Sequence, residues 1–241
     1  MKQKTNIVIF DLGGTLMEFE GMPSCWTDYY VQGFKYVNEV MGRPAGESQI
    51  NAAADILKSY NPRINYREEE LTPEFIFQRC TETWDCRLDA GRCAKLFYSG
   101  LELKGRIYQD TVPALIQLKK AGYRTAALTD LPTAMPDEFF KKSVWEIFPY
   151  LDIYVSSQSC GRRKPDPIGI FDIAEYFSVP VTEICFVGDE DKDKETARRA
   201  GCRFIRIRRG EWGKDSGTGQ TGAEVSTLQE LLCLLEPVSQ S

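Results

Sequence analysis

Four apolar segments of the chain are each followed by a polar side chain of a type that takes part in chemistry. Asp11 follows "NIVIF", Thr129 ends "RTAALT", Lys164 follows "DIYVSS", and the acidic run "GDEDKD" (188–193) follows "EICFV". No histidine occurs in the 241 residues, which excludes a Ser-His-Asp triad and zinc sites that need imidazole. Any reaction must therefore use carboxylates, ammonium groups, hydroxyls, thiols or a metal ion held by oxygen ligands.

The apolar segments have the composition of strands that are buried on both faces of a parallel sheet. The five predicted strands span 6–10, 124–129, 152–157, 183–188 and 203–207. Amphipathic segments that are typical of helices lie between them, at 111–122, 166–177 and 194–201. This alternation predicts an α/β fold with a doubly wound, Rossmann-like parallel sheet. Because parallel strands present their carboxyl ends at one edge, the polar side chains named above should share one crevice.

The segment 22–105 departs from this alternation, because it is helical in pattern and has no convincing strand. Prolines and glycines divide it into separate amphipathic stretches. An insertion of this length between the first and second strands predicts a separate, all-helical cap domain. We therefore expect two domains: an α/β core formed by 1–21 and 106–241, and a cap formed by 22–105.

The C-terminal part of the sequence is less regular. The stretch 213–224 ("GKDSGTGQTGAE") is predicted to be a polar loop, followed by a last helix over 226–235. It contains "GTGQTG" (217–222), but this dinucleotide-like pattern does not open a helix directly after a strand, so we assign it no cofactor. The basic stretch 203–210 ("RFIRIRRG") is expected to be an edge strand with solvated arginines.

Composition limits the partners and the location of the protein. A net charge of −5 argues against a nucleic-acid or anionic-membrane partner. No apolar run approaches the roughly 18 residues of a membrane span, and the first residues lack the apolar region of a secretory signal. We therefore expect a cytoplasmic location, in which the eight cysteines, none in a C-x-x-C pattern, stay reduced.

Four motifs follow one another along the predicted core. They read "DLGGT" (11–15), "AALTD" (126–130), "RKPDP" (163–167) and "GDEDKD" (188–193). Together they resemble the motifs of the haloacid dehalogenase-like hydrolase superfamily, and the predicted cap falls where the helical-cap subgroup of that superfamily carries its insertion. The resemblance covers the whole core and implies the α/β fold predicted above.

The resemblance also implies a chemistry for the acids. Asp11 would attack the phosphorus atom of a small phosphorylated metabolite and form an aspartyl-phosphate. Mg²⁺, which prefers hard oxygen ligands, would be held by Asp11, the backbone carbonyl of Gly13 and Asp189. Asp193 would orient these ligands. The expected cofactor is therefore Mg²⁺, and the expected reaction is phosphate hydrolysis.

Two further residues receive roles from the same resemblance. Lys164 would supply positive charge, and the hydroxyl of Thr129 would hold a phosphoryl oxygen. Asp130, where related proteins often carry Asn, is expected only to cap the next segment. Glu190 and Asp191 are expected to be solvated.

Gly13 lies where phosphatases of the superfamily usually carry a general acid/base. Positioned proton transfer is typically worth about 10²–10⁴ in rate, so its absence leaves three interpretations open. The enzyme acts on phosphates whose leaving groups need little protonation; or Glu18 or Glu20 replaces the missing acid; or turnover is lost and the domain binds a phosphorylated ligand or a protein.

Dehalogenases and phosphonate-cleaving enzymes of the superfamily also lack that acid. The dehalogenases need no metal, however, whereas Asp189 and Asp193 are both present here. We therefore rank Mg²⁺-dependent phosphate hydrolysis first, a binding-only domain second, and carbon–halogen or carbon–phosphorus cleavage third.

Overall fold

A computed structural model describes residues 5–22, 25–85, 88–209 and 223–235. The strands of this part of the chain are β1 (Ile7–Phe10), β2 (Met17–Phe19), β3 (Gly105–Ile107), β4 (Arg124–Thr129), β5 (Ile153–Ser156), β6 (Ile184–Gly188), β7 (Arg203–Ile207) and β8 (Ala223–Val225). The α-helices are α1 (Tyr30–Val40), α2 (Glu47–Ser59), α3 (Pro73–Cys80), α4 (Ala90–Gly100), α5 (Thr111–Lys120), α6 (Asp137–Ser143), α7 (Ser157–Cys160), α8 (Ile168–Phe177), α9 (Asp191–Ala200) and α10 (Leu228–Leu234). Short 3-10 helices span Thr27–Tyr29, Trp145–Tyr150 and Val181–Glu183.

The chain divides into two compact units. The first comprises Met1–Glu18, Arg106–Asp130 and Val144–Ser241, and the second comprises Phe19–Gly105 and Leu131–Ser143. The first unit contains a parallel sheet with the strand order β5-β4-β1-β6-β7-β8 and flanking helices. The predicted fold class, a doubly wound Rossmann-like sheet, is confirmed.

The register of the sheet brings the ends of its central strands side by side. Phe10, the last residue of β1, pairs with Ala127 of β4 and Val187 of β6. All residues of β1 and β6 are buried, as expected for strands covered on both faces. Because β1 lies between β4 and β6, the loops that follow these strands meet at the carboxyl edge of the sheet, where ligands of such folds bind.

The second unit is mainly helical and has an aromatic core. Phe34 and Phe97 pack with ring centroids 5.0 Å apart, and Phe77 and Phe97 with centroids 5.4 Å apart, both edge to face. Each such pair adds about 0.5–1.5 kcal/mol to the stabilisation from burial alone. The aromatic residues come from α1, α3 and α4, so they join three helices that are separated in sequence.

The segment 131–143 belongs to the second unit, whereas the sequence pattern predicts that it is part of the α/β core. Tyr98 of α4 donates a hydrogen bond to the carbonyl of Thr133, at 2.5 Å, and Lys95 pairs with Glu138 of α6 at 2.7 Å. These long-range contacts have no signature in the local sequence. The division of the chain into core and cap domains otherwise stays a prediction.

The edge of the sheet also differs from the prediction. β7 pairs with β6 on one side and with β8 on the other, so it is not an edge strand. Arg206 in β7 is only 8% exposed, so the expectation of solvated arginines is wrong for this residue. β8 begins inside the stretch 213–224 that was predicted to be a loop; the rest of that stretch, with "GTGQTG", lies outside the described residues.

Two further expectations concern membranes and thiols. None of the helices in the described ranges combines the length and the apolarity that a bilayer crossing requires. The cysteines in these ranges are free thiols, and Cys86 lies outside them.

Candidate active site

The loop after β1 begins with Asp11 and closes on itself through backbone hydrogen bonds. The carbonyl of Leu12 accepts hydrogen bonds from the N–H groups of Leu16 at 2.8 Å and Met17 at 3.0 Å. The N–H of Asp11 donates to Val187 of β6, at 2.9 Å, so the residue continues the sheet before the chain turns. The carboxylate of Asp11 is therefore held at the end of a buried strand and is itself only 6% exposed.

Lys164 lies between two carboxylates in the interior of the first unit. Its Nζ is 2.6 Å from Oδ1 of Asp11 and 2.6 Å from Oδ1 of Asp193. The side chain of Lys164 is 1% exposed and that of Asp193 is fully buried. Burial alone would lower the pKa of Lys164, but the facing carboxylates of Asp11 and Asp193 raise it well above its usual value. The ammonium group is therefore charged.

Asp189 completes a group of three acids with Asp11 and Asp193. Carboxylate oxygens of the three residues lie within 4.8 Å of one another. Burial raises the pKa of Asp11 to about 7, against the lowering effect of Lys164. Burial, followed by the charges of Asp11 and Asp193, raises the pKa of Asp189 well above its usual value. When the three carboxyl groups are ionised, they carry more negative charge than Lys164, the ion-pair partner of Asp11 and Asp193, balances.

This excess of negative charge is the feature that fits a metal ion. Three oxygen donors within one group, two of them from buried residues, suit a hard divalent cation such as Mg²⁺. A divalent cation would lower the pKa values that burial raises, because an opposite charge nearby favours the ionised carboxylates. The donor set therefore matches the cofactor expected from the sequence.

Gly13 and Thr129 are positioned near the same sheet edge but make no hydrogen bond to the three acids in the described structure. Thr129 is the last residue of β4, is 2% exposed, and pairs with Ser156 of β5. Gly13 is exposed and forms a bridge with Met17, the first residue of β2. A Cβ atom placed on Gly13 would have no other heavy atom within 4 Å. Their proposed roles thus stay predictions.

Glu18, one candidate for the missing acid, is already engaged. Its Oε2 accepts a hydrogen bond from the hydroxyl of Tyr108 at 2.9 Å, and its Oε1 accepts one from Nε of Arg106 at 3.1 Å. Burial would raise the pKa of Glu18, but the hydrogen bonds from Arg106 and Tyr108 lower it. A carboxylate held ionised in this way is a poor proton donor. Glu20, the other candidate, belongs to the second unit.

Asp130 has a larger part in the site than the expected capping of the next segment. Its Oδ1 accepts a hydrogen bond from the backbone N–H of Lys164 at 2.9 Å, and its Oδ2 pairs with Lys192 at 3.2 Å. Burial opposes ionisation of Asp130, but Lys192, Arg163 and Lys164 together lower its pKa. Lys192 also pairs with Glu190 at 3.0 Å, so Glu190 is not simply solvated. An acid directly after the strand-ending Thr129 was the available signal.

Two arginines near the end of β7 were also missed. Arg206 donates a hydrogen bond to the backbone carbonyl of Asp189 at 2.6 Å and pairs with Asp191, whose side chain is otherwise exposed. Arg209 contacts the loop that carries Asp11. A charged residue in a strand that is buried on both faces requires a partner, and this was the signal for Arg206.

The family of the chain follows from a match over most of its sequence. A model of haloacid dehalogenase-like hydrolases matches residues 5–201, which include all four motifs. The chain belongs to this family. The resemblance inferred from the motifs is therefore confirmed, and the protein is a haloacid dehalogenase-like hydrolase.

Similar proteins agree with this membership. The hydrolase is 33% identical over 107 residues to a glyceraldehyde 3-phosphate phosphatase from Methanopyrus kandleri, covering 44% of this chain and 45% of that protein. It is 29% identical over 135 residues to a phosphoglycolate phosphatase from Nitrosospira multiformis, covering 56% and 59%. The chain thus spans about half the length of these two relatives. The structure of a phosphatase of the family from Thermococcus onnurineus has the same fold, with a TM-score of 0.64, 20% identity and coverage of 97% and 99%.

Proposed function

We propose that this hydrolase is a Mg²⁺-dependent phosphatase that acts on a small phosphorylated metabolite through Asp11. The observation that carries the proposal is the buried ammonium group of Lys164 between Asp11 and Asp193, with the Asp189 carboxylate in the same group. Two relatives are named as phosphatases of small phosphorylated compounds. This supports a small phosphate as the substrate, rather than a nucleic acid or a membrane.

The metal ion would be held by Asp11, Asp189 and the backbone carbonyl of Gly13, with Asp193 orienting this set. When bound, Mg²⁺ would neutralise charge on the phosphoryl oxygens, so that an anionic substrate and a carboxylate can meet. Lys164 contributes the second positive charge, and it is already fixed by two carboxylates before a substrate arrives. Such preorganised charge is often the largest single contribution to catalysis.

The proposed reaction has two steps. A carboxylate oxygen of Asp11 attacks phosphorus, the bond from phosphorus to the leaving oxygen breaks, and an aspartyl-phosphate forms. Water then attacks this phosphorus, the bond to the Asp11 oxygen breaks, and inorganic phosphate is released with the carboxylate restored. The hydroxyl of Thr129 would donate a hydrogen bond to a phosphoryl oxygen in both steps.

The residues that follow Asp11 in the sequence bear on the choice of substrate. Gly13 has no side chain, and Glu18 is held ionised by Arg106 and Tyr108. Loss of positioned proton transfer raises the barrier by about 3–5 kcal/mol. The proposal therefore favours leaving groups that depart with little protonation, such as those of acyl phosphates, anomeric sugar phosphates and aryl phosphates.

The test is a panel of these phosphates and of alkyl phosphates, assayed with and without Mg²⁺. We expect turnover that requires Mg²⁺ and is abolished in Asp11→Asn. A matched control is Asp172→Asn, the same chemical change on α8, which should keep full activity. Chloride release from a haloacid without metal would instead establish dehalogenation.

The missing acid also favours a second candidate, a domain that binds a phosphorylated ligand without turnover. Under this alternative, calorimetry would detect Mg²⁺-dependent binding of a phosphate, while no member of the panel would release inorganic phosphate. Release of inorganic phosphate from any compound of the panel, if it is lost in Asp11→Asn, would exclude the binding-only alternative.

A further inference from the structure

Arg209 connects three separate segments of the first unit. Its Nη1 lies 2.8 Å from both carboxylate oxygens of Asp110, just before α5. Its Nε and Nη2 donate to the backbone carbonyl of Thr15, at 3.1 and 2.8 Å. The side chains of Arg209 and Asp110 are only 13% and 18% exposed. Arg209 therefore ties the loop after β1 to the start of α5 from a position just after β7.

The guanidinium group is itself held in place. It lies over the ring of Tyr108, 4.4 Å from the ring centroid, in a cation–π arrangement. Oδ2 of Asp110 also accepts a hydrogen bond from the backbone N–H of Leu228 at 2.8 Å, at the start of α10. The planar fork of an arginine is suited to such simultaneous contacts, which a lysine does not reproduce.

The carbonyl that Arg209 holds lies in the loop of the proposed nucleophile. Thr15 is fully buried, and its hydroxyl donates a hydrogen bond to Oδ1 of Asp189 at 3.3 Å. The neighbouring carbonyl of Leu16 accepts a hydrogen bond from the hydroxyl of Thr111 at 2.8 Å. Thr15 thus lies between Arg209 on one side and a proposed metal ligand on the other.

We infer that Arg209 is a positioning residue for the metal site. By holding the carbonyl of Thr15, it fixes the loop that carries Asp11 and Gly13 in its position relative to the carboxylate of Asp189. The inference rests on the proposed function, because it concerns the same Mg²⁺ site. It goes beyond that function, because it assigns the affinity for the ion partly to a residue outside the four motifs.

Positioning and simple electrostatics predict opposite effects. Arg209 is a cation, so by charge alone its removal should strengthen the binding of Mg²⁺. If Arg209 acts by positioning, its removal should weaken Mg²⁺ binding, and a lysine at this position should not restore it. The sign of the change therefore separates the two explanations.

The experiment is calorimetric titration of Mg²⁺ into the wild-type protein and the variants Arg209→Met, Arg209→Lys and Arg208→Met. Loss of a group that orients metal ligands typically costs about 10–100-fold in affinity, and we expect a loss of this size in both Arg209 variants. Arg208, which pairs with Glu224 of β8, is the matched control and should bind Mg²⁺ like the wild type. Circular dichroism establishes that each variant is folded, and Arg209→Lys alone decides the question if Arg209→Met does not fold.

The outcomes separate this inference from the proposed function. Unchanged or tighter Mg²⁺ binding in the Arg209 variants, or full affinity in Arg209→Lys, overturns the positioning role alone. If the wild type does not bind Mg²⁺, or if Asp189→Asn binds it equally well, both the proposed metal site and the inference fail.

Discussion

Gly14 and Asp189 lie so close together that no side chain fits between them. A Cβ atom on Gly14 would overlap the carboxylate of Asp189, and Gly14 has a φ of +76°, in the left-handed region that favours glycine. The loop after β1 and the loop after β6 therefore approach each other through a backbone position that only glycine occupies without strain.

A first prediction concerns this approach. Gly14→Ala should displace the Asp189 carboxylate and strain the backbone, at a cost of about 1–3 kcal/mol in the free energy of unfolding. Mg²⁺ affinity and phosphatase activity should both fall. Gly13→Ala is the matched control, because a Cβ there has open space and the backbone is not left-handed. Denaturant titration and calorimetry measure the two effects, and equal behaviour of the two variants would contradict the prediction.

A second prediction concerns the buried ammonium group. Lys164→Met leaves the carboxylates of Asp11 and Asp193 without their positive partner, and removal of one member of a buried ion pair typically costs about 3–5 kcal/mol. Urea denaturation at pH 7 without Mg²⁺ should show a loss of this size. The double variant Lys164→Met/Asp11→Asn has less uncompensated charge and should recover part of the stability. A double variant that is no more stable than Lys164→Met would count against the electrostatic explanation.

A third prediction concerns the missing acid. Gly13→Asp introduces a carboxyl group where there is room for its Cβ. If protonation of the leaving group limits the rate, the variant should accelerate alkyl phosphates, by up to about 10²–10⁴-fold, and have little effect on acyl and aryl phosphates. The measurement is kcat/KM against the pKa of the leaving group, and an unchanged slope would refute the explanation.

Glu18→Gln is the companion experiment for the same question. Because Glu18 is held by Arg106 and Tyr108, the substitution should not change the dependence of kcat/KM on the leaving group. A steeper dependence in this variant would show that Glu18 does supply a proton.

A fourth prediction concerns pH and the stability of the sheet. Asp152 accepts hydrogen bonds from Lys119 at 2.5 Å and from the N–H of Thr125 at 2.8 Å. Burial would raise the pKa of Asp152, but these hydrogen bonds lower it. Since the pKa is lower in the folded state than in the unfolded chain, the ionised group stabilises the protein at neutral pH. This contribution is lost as the pH falls through the folded-state pKa.

The variant Asp152→Asn tests this dependence of stability on pH. It should lower the free energy of unfolding by about 1–2 kcal/mol at pH 7, and the difference from the wild type should shrink below about pH 4. Urea denaturation from pH 7 to pH 3 measures it. A difference that stays constant over this range would show that the ionised state of Asp152 does not contribute.

The sequence was sufficient to predict much of the α/β fold and the acids of the candidate site. A strand buried on both faces needs an uninterrupted apolar run, so β1, β4 and β6 could be recognised locally. Because parallel strands present their carboxyl ends at one edge of a sheet, the sequence also implied that Asp11, Lys164 and Asp189 meet, although 153 residues separate Asp11 from Lys164. The catalytic roles and the cytoplasmic location stay predictions.

Only the tertiary structure decided what surrounds those acids. Thr15 and Arg209 are 194 residues apart, and nothing in the composition of either segment indicates their contact. The sequence also did not show that β8 covers β7, or that Glu18 is held by Tyr108. The spacing of apolar residues and the spacing of motifs are local properties of the chain. The contacts named here depend instead on the order of the strands in the sheet and on which charged groups are buried next to one another.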